Sequence, residues 1–98
     1  EQPMQLARVM GTVVATRKEA TLEGRRLMLV QPIQPHGEPR GHPIVAVDAV
    51  GAGEHEVVLF AQGSSARMTE ISQDRPIDAV IMAIVDTLEI GGEVIYRK

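Results

Sequence analysis

Residues 45–67 read VAVDAVGAGEHEVVLFAQGSSAR, and this stretch decides the fold. Two short apolar runs, Ile44–Val50 and Glu56–Ala61, each have the length and the Val content of a strand. Between them GAGEH reads as a tight hairpin turn, because glycine takes positive φ without steric cost. A second small-residue segment, GSSAR, follows at once and ends in Arg67. Nothing in the stretch forms a set of reacting groups, which favours assembly over catalysis.

The same punctuation runs outward in both directions. Gln5–Thr16 is a strand in which Ala7, Val9, Gly11, Val13 and Ala15 share one small apolar face, expected to line the core. Leu6, Arg8, Met10, Thr12 and Val14 share the other. Gly11 in mid-strand marks a bend or a close backbone approach. Arg17–Gly24 is a polar connection, and Arg25–Val30 returns to complete a hairpin. Gln31–Pro43 holds four prolines and two glycines, which bars a helix or a central strand and leaves a long surface loop. Residues 63–72 are the one helical candidate, at most two turns, capped by Ser64 or Ser65. Ile77–Ile90 lies between strand and helix in length. Its β-branched content favours a strand, with Asp86 breaking its apolar character. Gly91-Gly92 is a turn, and Glu93–Arg97 a last strand. Six short strands and one short helix give a mainly β domain over residues 4–98, a small, partly open barrel of OB-like form. Residues 1–3 read as a ragged start or an expression remnant.

Composition narrows the function. The chain has 98 residues, a formal net charge of −3, two aromatics and no cysteine. A negative chain has no general attraction to phosphate backbones, and Phe60 with Tyr96 make no stacking platform, so nucleic acid is not expected as a partner. Disulfides and thiolate metal sites are excluded. No apolar run approaches the ~20 residues that span a bilayer, so no membrane partner is expected. The histidines, His36, His42 and His55, lack any His-x-His or His-x3-His spacing, so no metal and no cofactor is expected. Gly63-Ser64-Ser65-Ala66-Arg67 lacks the second glycine of a nucleophile elbow. Asp48, Asp78 and Asp86 sit in or beside apolar runs without a His or Ser at catalytic spacing. Such carboxylates read as turn formers, backbone acceptors or partners in salt bridges between subunits. Arg17, Lys18, Arg25 and Arg26 gather at one hairpin end, diluted by Glu19 and Glu23, as a solvated turn or a docking contact.

VAVDAVGAGEHEVVL followed by QGSSAR resembles the EutN/CcmL family of bacterial microcompartment vertex proteins. The segments RVMGTVVATRK (residues 8–18) and LEGRRL (22–27) extend the likeness, as do Pro76-Ile77-Asp78-Ala79 and Ile84-Val85-Asp86. The resemblance implies a pentameric shell protein of the bacterial cytoplasm, closing five-fold vertices beside hexameric and trimeric shell proteins, and no catalysis. It implies a ring interface in which small residues allow close approach: Gly51, Gly53, Gly63, Ser64 and Ser65. Polar groups inside otherwise apolar segments suggest that Arg67 bridges to Asp48 or Asp86, on the same or an adjacent subunit. The family usually carries glycine where this chain has His55, so the turn is expected to differ there or to hold His55 in the left-handed region. The competing readings are an OB-like module for a small ligand or single-stranded nucleic acid, and an enzyme using Asp48 or Asp86 with Ser65.

Overall fold

A computed structural model describes residues 4–15, 24–63 and 79–98. Seven strands run through them: β1 (Gln5–Val13), β2 (Arg26–Pro32), β3 (Ile44–Asp48), β4 (Val57–Gln62), β5 (Ala79–Ile84), β6 (Thr87–Ile90) and β7 (Glu93–Arg97). The first five close into a barrel in the order β1-β2-β3-β5-β4, with β4 returning to β1. That is the strand order of an OB barrel, with every ladder antiparallel except β3–β5. The barrel is thus closed rather than partly open. The seam is the parallel pairing of Val47 with Val80 and Asp48 with Ile81.

Alternation in the strands builds two apolar layers. Ala7, Val9, Met28, Val30, Ala46, Val58, Phe60 and Ile81 point inward and form the main core. Their neighbours along the chain point outward. Leu27 pairs with Val47, Val47 with Val80 and Val80 with Ala61, so one apolar row crosses four strands on the outer face of the barrel, where Val47, Val80 and Ala61 are buried as a second, smaller core. Phe60, the sole phenylalanine, is fully buried and supplies the largest side chain of the inner layer.

Four further expectations need correction. GAGEH is not a hairpin turn, because β3 and β4 never pair: β5 lies between them. Glycine chemistry marks where the chain reverses, but partners are set by the apolar rows, and Val80 fits between Val47 and Ala61. The second correction concerns β1. Its register shifts between Val9 and Gly11, leaving Met10 as an extra residue. Such a bulge bends the strand and reverses the faces beyond it. Gly11 then pairs with the outward Leu29, and Val13 with the outward Leu27, so only Ala7 and Val9 of the expected face reach the core. Third, Ile77–Ile90 holds two strands, since Val85 and Asp86 separate β5 from β6. Fourth, Gln31 and Pro32 belong to β2, and the rest of that loop is folded on itself. Ile33 is buried and bridges to Pro39, while the Gln34 N–H donates to the Glu38 carbonyl at 2.7 Å.

The β6–β7 hairpin was legible, and its Gly91-Gly92 turn has φ of 57° and 85°, the two positive values that a type I′ turn requires. The expected helix lies outside the described residues beyond Gly63. Replacing Phe60 with Ala removes the central side chain of the core and is expected to cost about 3–5 kcal/mol, by urea unfolding at fixed protomer concentration. A loss below about 1 kcal/mol would contradict the packing just described.

Candidate subunit-contact surface

The chain leaves β3 at Asp48 and must cross one end of the barrel to enter β4 at Val57. Asp48 organises that crossing. Its Oδ1 accepts the N–H groups of Val50 and Gly51, both at 3.0 Å, and its Oδ2 accepts that of Ala52 at 2.9 Å. Arg26, directly opposite on β2, adds a bond from Nη1 to Oδ2 at 3.2 Å. The Asp48 side chain is 1% exposed. A carboxylate has about four lone-pair sites, and all are taken within the chain. Gly51 lies at φ 79°, so the turn wound around Asp48 needs glycine there.

The second half of the crossing lies along β1. The His55 N–H donates to the Val9 carbonyl at 2.8 Å, and the Val9 N–H donates to the Glu56 carbonyl at 2.9 Å. Arg8 Nη1 donates to the His55 carbonyl at 2.9 Å. His55 is thereby held at φ 70°, the left-handed region a side chain disfavours. Of the two outcomes left open for that position, His55 takes the strained one.

Glu56 ends the crossing and ties it to the last residue. Its Oε1 accepts the Gly53 N–H at 2.5 Å, and its Oε2 pairs with Lys98 Nζ at 3.1 Å. The Gly53 N–H, and then the Lys98 ammonium, hold the Glu56 carboxyl below its ordinary value of 4.5. Glu56 in turn raises Lys98 above its ordinary 10.5. The Lys98 N–H also donates to the Asp86 carbonyl at 2.8 Å, which closes the base of the β6–β7 hairpin.

Asp48, Gly51 and Gly53 therefore share one loop, and Asp86 lies at the same end of the barrel, exposed after β5. Its side chain enters no ion pair among the described residues. Gly63 is at the opposite end of the β4–β5 ladder, where Gln62 pairs with Ala79. Ser64, Ser65, Arg67 and Asp78 lie outside the described residues, as do Arg17 and Lys18. The Asp48 bonds were among the options that its sequence context left open. The Arg26–Asp48 pair needs the β2–β3 register, and the Glu56–Lys98 pair joins residues with no local signal. Apolar side chains remain on the outer barrel surface, with Met10 46% and Val45 49% exposed.

Two outcomes are expected from this geometry. His55→Gly is neutral or stabilising by up to about 1 kcal/mol, because relief of the left-handed strain is partly offset by the freedom of glycine when unfolded. His55→Val, β-branched at the same φ, costs about 2 kcal/mol; equal unfolding midpoints for the two variants would refute the strain. Glu56 has a depressed folded-state value, so its contribution is present above the ordinary value of 4.5 and is lost as pH falls below it. Urea midpoints of the wild type should fall more steeply across that acid window than those of Glu56→Gln. Parallel curves would show that Glu56 contributes nothing.

Comparison with known proteins supplies the assembly context. The family model described as "Ethanolamine utilisation protein EutN/carboxysome" matches residues 4–86. The carboxysome shell vertex protein CcmL of Gloeobacter violaceus is 44% identical over 95 residues, covering 97% of this chain and 95% of that protein. Its solved structure superposes with a TM-score of 0.88 over 96% of this chain and 97% of that one. The shell vertex protein EutN of Escherichia coli is 42% identical over 95 residues, covering 97% of this chain and 100% of the relative. The GrpN pentameric microcompartment shell protein from Rhodospirillum rubrum is 43% identical with a TM-score of 0.78, over 88% of this chain and 98% of that one. With a family match over most of its length and identities above 40% across nearly all of it, this chain belongs to the EutN/CcmL family.

Proposed function

We propose that this chain is a structural protein, not a catalyst, which assembles as a homopentamer and closes the five-fold vertices of a bacterial microcompartment shell in the cytoplasm. The likeness to named shell vertex proteins over almost the whole chain carries this reading. The pentameric relative at TM-score 0.78 supports five as the number of subunits. The domain runs from residue 4 to residue 98. Hexameric and trimeric shell proteins are its neighbours in the finished shell.

The physical features suit the role. A ring arises when a head-to-tail contact closes on itself, and such a contact joins two different patches of the same chain. The loop shaped by Asp48, with Gly51 and Gly53, is one patch, and Asp86 beside it offers an exposed carboxylate. Gly63, Ser64, Ser65 and Arg67 supply the second. Asp48 is filled from within its own chain, so its part is to shape the loop, and Asp86 is the acceptor for a neighbour's Arg67. Half-exposed Met10 and Val45 gain burial when a neighbour covers the barrel surface.

Native mass spectrometry is expected to give a single species of five subunits, and a strict monomer at micromolar concentration would sink the reading. Arg67→Ala is expected to leave the barrel folded and lower the temperature at which the pentamer dissociates. An unchanged pentamer of unchanged stability would remove Arg67 from the contact without touching the vertex role. For that role, co-expression with a hexameric shell protein is decisive: shells should close only with this chain present.

A further inference from the structure

Where the β6–β7 hairpin meets the barrel it leaves a crevice of about 50 Å³. Its floor is apolar, with Ile33, Val57 and Leu88, and its rim carries Arg8, His36 and Tyr96. No carboxylate occurs among the described lining residues. Arg8 is fixed there from two sides. Its Nη1 donates to the His55 carbonyl at 2.9 Å, and its guanidinium carbon lies 6.0 Å from the centre of the Tyr96 ring. One of its five N–H donors is thus committed, and the cation is held in place rather than free to swing.

We propose that this crevice binds a carboxylate on a short apolar stub, with the carboxylate at Arg8 and the rim donors and the stub over the floor. Arginine presents a planar fork that matches a carboxylate with two parallel bonds, and a held fork loses little freedom on binding. The size decides the class. Pockets for drug-sized ligands run to roughly 300 Å³ and more, so only a few heavy atoms enter this one. Two sources carry that chemistry: a free short-chain acid, or the terminal carboxylate of a polypeptide in the surrounding assembly. The lining residues all belong to one chain, so a second subunit is not needed to form the crevice.

The test is a titration of the assembled protein, with the methyl signals of Ile33, Val57 and Leu88 followed by NMR at constant ionic strength. Propionate is expected to shift them saturably with a Kd of about 1–10 mM, as befits a ligand of so few atoms. Propionamide, which lacks the charge, should bind about tenfold more weakly. Arg8→Gln is expected to weaken propionate by a similar factor. Because Arg8 also holds the His55 carbonyl, His36→Ala serves as a second variant at an exposed rim position, with an expected loss of about threefold. An N-acetyl dipeptide with a free carboxylate separates the sources: tighter binding than propionate, abolished by amidation, assigns the site to a chain terminus, and no advantage assigns it to a free acid. Absence of saturable shifts with both probes, equal binding of propionamide, or unchanged binding in both variants overturns the proposal.

Discussion

The Asp48 carboxylate is the constraint on which the rest of the molecule depends. β5 has to lie between β3 and β4, so the chain between those two strands cannot turn back directly and must traverse the barrel end. A traverse of that kind exposes a run of backbone N–H groups with no ladder to receive them. Asp48 collects three of them, and Arg26 balances its charge from the neighbouring strand. Aspartate is short enough to bond its own following backbone, which no longer or neutral side chain does as well. With the crossing held, Val47 is presented to Val80, and the barrel closes at its parallel seam.

The remaining links are then set by what the crossing touches. Its second half lies along β1 through His55 and Glu56, and Glu56 reaches Lys98 at the end of the C-terminal hairpin. One loop thus contacts the first strand, the second strand and the last residue. Its cost is local: a histidine in a conformation better suited to glycine, held by two backbone bonds and an arginine. An isolated two-stranded ribbon is marginal in water, and among the described residues the β6–β7 hairpin has no third strand; its attachment to this loop and to Arg8 offsets that.

Much of the fold was legible because strand formation here is a local matter. Val-rich runs of the right length, separated by glycine and proline, located β1, β2, β3, β4 and β7 to within a few residues. The turn at Gly91-Gly92 could be read as well, whereas Asp86 reads only as a polar interruption and not as the boundary between two strands. What escaped is non-local. Turn residues say where a chain reverses but not which strand fills the space beside it, so GAGEH read as a hairpin when β5 was still to come. The Met10 bulge carries no signal of its own beyond the neighbouring glycine, yet it turns Gly11 and Val13 away from the core. At the candidate contact surface the residue types did not reveal their partners within the chain. Asp48 was one of several plausible acceptors until its distances to Val50, Gly51 and Ala52 made it the anchor of its own loop.

Closure of the barrel also limits how the molecule meets its neighbours. With β4 hydrogen-bonded back to β1, the first five described strands close into a barrel, which leaves little edge on which another chain could add a strand. A closed barrel is suited to contacts made by side-chain shape and charge rather than by a continued ladder with its fixed repeat distance and plane. On the proposed ring, the tilt between copies depends on side-chain volume at the outer surface, where Met10 and Val45 are half-exposed. Curvature in an assembly of this kind is adjustable by surface substitutions that leave the barrel interior untouched.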